Sequence, residues 1–131
     1  MGAWGSRTFE NDTASDWLYD LESDTTLSTI ASAFSLGEGY LDSDQACEAL
    51  ASAEVLLALG GKARAGLPDS AASWVKSNSA LDPRSLKAAA ANAIIRVLGK
   101  DSELDQLWSD SDSYAGWKAD VEMLLGAIDS L

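Results

Sequence analysis

The segment SDQACEALASAEVLLALG, residues Ser43 to Gly60, combines helix-forming residues with apolar side chains in almost every direction. Successive residues of an α-helix are turned by about 100°, and at that spacing apolar side chains cover most of its circumference. A helix that is apolar nearly all round is buried nearly all round. The segment therefore predicts a central helix, at about residues 43–60, with the rest of the chain packed around it.

Two polar features interrupt this apolar segment. Gln45, Glu48 and Ser52 share one narrow stripe, which we expect to face water or a loop. Glu54 points about 180° away from Gln45, into the apolar face. An unpaired carboxylate in that position would cost several kcal/mol or raise its own pKa. Glu54 is therefore either a structural acid, bonded to a backbone amide or an arginine, or a general acid or base in a cleft.

The remaining segments are shorter and apolar on one side, as expected of helices that surround a core helix. Their pattern predicts an all-α, single compact domain over residues 1–131, with six to seven helices and an irregular arm at residues 1–10 that packs on the core. The predicted outer helices run from a cap at Asn11 or Asp12 to about Leu21, from Thr25 or Thr26 to Leu36, over a short stretch after Pro68, from Pro83 to Leu98, over a short stretch from Asp101 or Ser102, and from Tyr114 to about Ser130.

Charge and composition exclude several classes of function. The chain has 21 acidic and nine basic residues, a net charge of −12, which argues against binding to nucleic acid or to an anionic membrane. It has no histidine and a single cysteine, Cys47. The Ser-His-Asp triad, the Cys-His dyad and the usual zinc sites are thereby excluded.

Short motifs identify no cofactor. The sequence contains neither phosphate-binding glycine motif, and its acidic loops do not fit the calcium-binding EF-hand pattern. We therefore predict no cofactor and no dedicated metal site. The sequence shows neither a secretion signal nor a run of about 18 apolar residues, so we expect a cytoplasmic protein.

The acidic residues form two concentrations. Asp12, Asp16 and Asp20 line one side of the first predicted helix, opposite its apolar face. Asp101 to Asp112 contains five acids and no base. Most acidic stripes are simply solvated, but a basic partner or a cation would also account for them. A metal site built from Glu10, Asp12, Asp16 and Glu54 is physically possible, although their spacing is not diagnostic of one.

Tryptophan is frequent, and its positions suggest two roles. Four of the five lie on predicted apolar helix faces, which indicates packing in the core. Trp4 lies outside any predicted helix, where it could close a groove or anchor a partner. The four helical tryptophans are Trp17, Trp74, Trp108 and Trp117.

The opening MGAWG, followed by Phe9, Asn11-Asp12, Ala14 and Asp16-Trp17, resembles the bacterial family of unknown function DUF4259. Later stretches are compatible with it, although the family pattern has Gly and Pro where this chain has Arg7 and Thr8. The resemblance implies a small bacterial cytoplasmic protein and brings no reaction or ligand. It marks as positions of interest Trp4, Asn11, Asp12, Asp16, Trp17 and Glu54. The compatible later stretches are Ala53-Glu54-Val55, Leu67-Pro68 with Trp74, and Ser102-Glu103-Leu104 before Trp108.

Three hypotheses about function follow. The first is a non-catalytic interaction protein whose acidic surface binds a basic protein partner. The second is an enzyme acting on a small molecule, or dependent on a divalent metal, that uses Glu54 and the N-terminal acids in a pocket closed by Trp4. The third is a homo-oligomer formed through an apolar helix face. A concave pocket containing Glu54, Asp16 and Trp4 would favour the enzyme, whereas a buried Glu54 satisfied by backbone or arginine would argue against it.

Overall fold

The computed structural model describes residues 5–131, and these residues fold into seven α-helices and one short 3-10 helix. No strand forms among them, and a single isolated parallel bridge joins Leu41 to Ser102. The predicted all-α fold class is confirmed. The helices are α1 Asp12–Glu22, α2 Ser28–Ala33, α3 Ser43–Leu59, α4 Asp69–Ser77, the 3-10 helix Pro83–Leu86, α5 Lys87–Val97, α6 Glu103–Ser109 and α7 Tyr114–Asp129.

Helix α3 is the centre of the fold, as its apolar circumference predicts. Every residue from Ala49 to Ala58 is buried. Each of the other six α-helices contacts it. Five of these ten residues are alanine or serine, and such small side chains allow neighbouring helices to approach the α3 backbone closely.

The polar stripe of α3 differs from its predicted environment. Gln45 and Glu48 are half-buried, but Ser52 is fully buried under α2. The Ser52 hydroxyl donates a hydrogen bond of 2.9 Å to the Ile30 carbonyl oxygen. A buried hydroxyl is stable when its hydrogen bond is made, so the expectation that Ser52 faces water or a loop is wrong. This hydrogen bond links α2 to the central helix.

Local capping accounts for the helix ends. The prediction of Asn11 as a cap is confirmed, because its side chain accepts a hydrogen bond of 2.8 Å from the Ala14 amide. Helix α2 is shorter than predicted. The Asp24 carboxylate accepts hydrogen bonds from the amides of Thr26 and Thr29, and this turn occupies the residues that were expected to form the first helical turn.

Two helices begin side by side and are capped together. The Leu41 amide donates to the Asp101 carbonyl, and the Glu103 amide donates to the Leu41 carbonyl, each at 2.8 Å. The Glu103 carboxylate then accepts a hydrogen bond of 2.7 Å from the Ser43 amide, at the start of α3. Negative charge stabilises a helix N-terminus. Part of the acidity between Asp101 and Asp112 therefore has a structural use.

The tryptophans pack largely as predicted. Trp17, Trp74 and Trp117 are buried in the core, and Trp108 is half-buried. The rings of Trp108 and Trp117 stack with their centroids 6.3 Å apart, which joins α6 to α7. Trp4 lies outside the described residues.

No helix in the described part of the chain is both long enough and apolar enough to cross a bilayer.

The central position of α3 predicts a large difference between two truncations. Leu56 in α3 is 0% exposed, whereas Met123 in α7 is 68% exposed. Leu56→Ala is expected to lower the free energy of unfolding by about 2–5 kcal/mol, and Met123→Ala by less than about 0.5 kcal/mol. Urea unfolding of both variants measures the difference. Equal losses would contradict the central placement of α3.

Candidate functional site

Glu54 lies in the interior, as its angle on the helix predicts, and only 6% of the residue is exposed. Its Oε2 atom accepts a hydrogen bond of 2.7 Å from the Thr8 hydroxyl. Its Oε1 atom lies 3.6 Å from Nε of Arg64. Both carboxylate oxygens therefore have a polar partner. One partner lies in the N-terminal segment, residues 5–11, and the other in the loop after α3, residues 60–68.

Arg64 extends this network to α7. Its guanidinium donates a hydrogen bond from Nη2 to Oδ1 of Asp120, and Nη1 donates to the Asp120 backbone carbonyl at 3.3 Å. The pairing is charge-assisted and involves two guanidinium nitrogens, which fixes the orientation of Arg64. A single arginine thus joins the central helix, the loop that follows it and the last helix.

The environment of Glu54 raises the pKa of its carboxyl group. Burial raises the pKa of Glu54 above its ordinary value. The Thr8 hydrogen bond and the Arg64 charge lower this pKa, and the second carboxylate, Asp120, raises it again. The net direction is upward, because the cost of burying the charge outweighs the Thr8 hydrogen bond and the charge of Arg64.

A cleft opens beside this network. Its volume is about 390 Å³, and Glu54, Arg64 and Asp120 line it together. The N-terminal segment forms another side, where the Glu10 carboxylate accepts a hydrogen bond of 3.0 Å from the Arg7 amide. The remaining lining residues are Thr8, Phe9, Ala65, Gly66 and Pro68.

The other residues singled out in the sequence are dispersed. Asn11 supports the site indirectly, because its side-chain amide donates a hydrogen bond of 3.0 Å to the Thr8 carbonyl. Trp17 is buried in the core. Asp12 and Asp16 are exposed on α1 and do not line the cleft. Trp4 cannot be placed, since it is outside the described residues.

The carboxylates proposed as a metal site do not converge. Among residues 5–131, no three histidine, cysteine, aspartate or glutamate side chains are grouped so that they could hold one metal ion. Asp12 and Asp16 face solvent, whereas Glu54 faces Arg64. Cys47 also lacks the features of a reactive group, because burial raises the pKa of its thiol to about 12.

A second feature is the exposed face of α1. Asp12, Asp16 and Asp20 are exposed, and Tyr19 beside them is 71% exposed. We call these four residues the α1 acidic face. In the described part of the chain, the ion pairs involve only Arg64 and Arg84 as cations, so no base neutralises this face.

Negative charge continues from the α1 acidic face onto α3. Thr13 donates a hydrogen bond of 2.8 Å to Asp44, which holds the start of α3 against α1. Burial raises the pKa of Glu48, and the nearby Asp20 and Asp44 raise it further. These acids therefore act on one another as a single negative surface.

The fold and the network define a small all-α protein with a buried charged site and an acidic exterior. The chain belongs to the family described as Domain of unknown function (DUF4259), whose model matches residues 2–120. This confirms the resemblance carried by the opening residues. Neither a curated protein nor a solved structure matches the chain.

Sequence reasoning missed Thr8, Arg64 and Asp120. An arginine partner for Glu54 was one of the expected alternatives, but nothing in the spacing identified which arginine. A usable signal was present, because Arg64 is a basic residue in the loop that directly follows the helix carrying Glu54. Thr8 and Asp120 carry no comparable signal, since they are far from Glu54 along the chain.

The raised pKa of Glu54 predicts a pH dependence of stability. Between its ordinary value of 4.5 and its raised value, the folded state binds more protons at Glu54 than the unfolded state does. The contribution of Glu54 to the free energy of unfolding is therefore most favourable below pH 4.5 and declines as the pH rises through the folded pKa. Glu54→Gln removes this decline, so the variant is expected to lose less stability than the wild type as the pH rises from 4.5 to neutral.

Urea unfolding across this pH range measures the effect. Glu122→Gln, which removes a glutamate from the exposed side of α7, is the matched control and should follow the wild type. Parallel pH profiles for the wild type and Glu54→Gln would contradict the prediction.

Proposed function

We propose that this protein is a non-catalytic interaction module that binds a basic protein partner through the α1 acidic face. The observation that carries the proposal is the combination of three carboxylates at helical spacing, no neutralising base among the described residues, and an exposed tyrosine between them. Like charges one helical turn apart destabilise a helix by a few tenths of a kcal/mol per pair. A cationic partner relieves that repulsion.

The composition of this face suits a protein interface. Tyrosine is enriched at interfaces and among the residues that dominate binding energy. Tyr19 offers an aromatic ring for a partner to cover, and the surrounding acids supply charge complementarity. With a net charge of −12, the whole molecule attracts a basic protein and raises its association rate. We expect the interaction in the cytoplasm of a bacterium, as the family resemblance implies.

The state of Glu54 supports a non-catalytic role. A general base needs access to the proton that it removes. Glu54 is 6% exposed and is occupied by Thr8 and Arg64. An enzyme remains the second candidate function because the cleft of about 390 Å³ reaches this carboxylate. Its chemistry would need Glu54 to exchange a present partner for substrate.

Site-specific photo-crosslinking tests the proposed interface. A photoreactive phenylalanine analogue replaces Tyr19 in one variant and Met123 in the control, since these side chains are similarly exposed, at 71% and 68%. After irradiation in bacterial cells, mass spectrometry identifies the adducts. We expect an adduct with a basic protein from position 19 and none from position 123.

Charge variants then test the role of the acids. Asp16→Asn with Asp20→Asn should lower the yield of the position 19 adduct several-fold. Asp110→Asn with Asp112→Asn removes the same charge from another exposed segment and should leave the yield unchanged. The proposal is contradicted if both positions give the same adducts or if both charge variants behave alike. An adduct between two copies of this chain would support the homo-oligomer instead.

A further inference from the structure

We propose that the cleft beside Glu54 binds a small organic cation, an ammonium or guanidinium group carried on a short aliphatic body. This site is formed by the N-terminal segment, α3, the loop after α3 and α7. It shares no residue with the α1 acidic face, so this proposal does not depend on the proposed function.

Acidic side chains outnumber basic ones in the lining of the cleft. At its inner end two carboxylates, Glu54 and Asp120, share the single guanidinium of Arg64. Arg7 and Glu10 also line the cleft, so its lining holds three acidic and two basic side chains. The lining therefore has one more acidic than basic side chain, and one of its acids, Glu54, is only 6% exposed. A monovalent cation would balance this excess.

The cleft is lined by carboxylate oxygen atoms that could accept hydrogen bonds from an ammonium group. One oxygen of each lining carboxylate accepts a hydrogen bond, from Thr8, the Arg7 amide or Arg64, and the second oxygen of Glu54 lies 3.6 Å from Nε of Arg64. Among residues 5–131, no hydrogen bond or ion pair engages the second oxygen of Glu10 or of Asp120. These oxygens are acceptors, and an ammonium or guanidinium group supplies only donors.

The arrangement suits an organic cation better than a metal ion. The Arg64 guanidinium lies between Glu54 and Asp120, where a metal would have to bridge them. A divalent cation requires several oxygen ligands converging on one point, and the described residues provide no such group of three. An ammonium group needs only a few acceptors around it.

The walls suit an aliphatic body. Phe9, Ala65 and Pro68 line the cleft beside the charged groups. Apolar walls cover the carbon chain of the ligand, and the ring of Phe9 adds a favourable contact for a nearby cation. At about 390 Å³, the cleft has room for a ligand of several carbon atoms. The chemistry is that of a free alkyl amine and equally that of a lysine or arginine side chain.

Nuclear magnetic resonance of the full chain tests the proposal. The probe is n-butylammonium chloride, the neutral comparison is n-butanol, and magnesium chloride and potassium chloride control for ionic strength. We expect n-butylammonium to shift the amide resonances of Thr8 and of Arg64 to Gly66, with an affinity at least about tenfold higher than that of butanol. The proposal is overturned if butanol or the inorganic salts produce the same shifts, or if no shift maps to the cleft.

Variants assign the effect to the carboxylates. Glu54→Gln is expected to weaken n-butylammonium binding by about tenfold, and Glu10→Gln to weaken it several-fold without disturbing the core. Glu48→Gln, which removes a half-buried glutamate outside the cleft, is the matched control. If Glu54→Gln does not fold, Glu10→Gln and the wild-type shift map decide the question. Unchanged affinity in Glu10→Gln together with a shift map outside the cleft overturns the proposal.

A second probe separates the two sources of the cation. Nα-acetyl-lysine amide carries the same ammonium group on a peptide-like body. Binding of both probes indicates a side chain of a partner protein, and binding of n-butylammonium alone indicates a free amine. Loss of this site would leave crosslinking at Tyr19 unaffected, so the two proposals fail separately.

Discussion

The burial of the Glu54 carboxylate in the central helix is the constraint on which the site depends. Because α3 is surrounded by the other helices, a charged side chain buried on it has to be hydrogen-bonded and paired with an opposite charge. Thr8 and Arg64 meet that requirement, and Arg64 is in turn paired with Asp120, so that the N-terminal segment, the loop after α3 and α7 meet around one point. The cleft lies where these three segments meet. Its charge, its shape and its position therefore follow from one buried acid.

Much of the fold could be predicted because it depends on local periodicity. The central helix was predicted at about residues 43–60 and is observed at Ser43–Leu59. A helix with apolar side chains on nearly all sides is stable only when it is buried in the core. Asn11 capped α1 as its residue type indicates. One failure arose from a local side-chain turn and the other from a contact between residues distant in sequence. Asp24 replaced the first turn of α2 with a side-chain-capped turn, and Ser52 became internal because the Ile30 carbonyl accepts its hydroxyl.

Of the residues in the site, only Glu54 could be predicted from the sequence. Helical angles place Glu54 inside the fold, but they do not tell which other segment arrives opposite it, and Thr8 is 46 residues away in sequence. For the same reason the sequence could not show that Asp12 and Asp16 lie outside the cleft beside Glu54, because residue spacing identifies a shared helix face but not the direction in which that face points. The buried acid and the exposed acids on α1 therefore differ in their surroundings. Glu54 in the interior is hydrogen-bonded by Thr8 and paired with Arg64, whereas the acids on α1 have no base beside them in the described residues.

The most direct test of this account is a double-mutant cycle between Thr8 and Glu54, measured by urea unfolding at neutral pH. Thr8→Val removes the donor with little change in shape, and Glu54→Met removes the acceptor at similar length. If the buried hydrogen bond organises the site, the two losses of stability are coupled by about 1.5 kcal/mol or more, as for hydrogen bonds to charged groups. Losses that add within about 0.5 kcal/mol would contradict the claim that Glu54 holds the N-terminal segment in place.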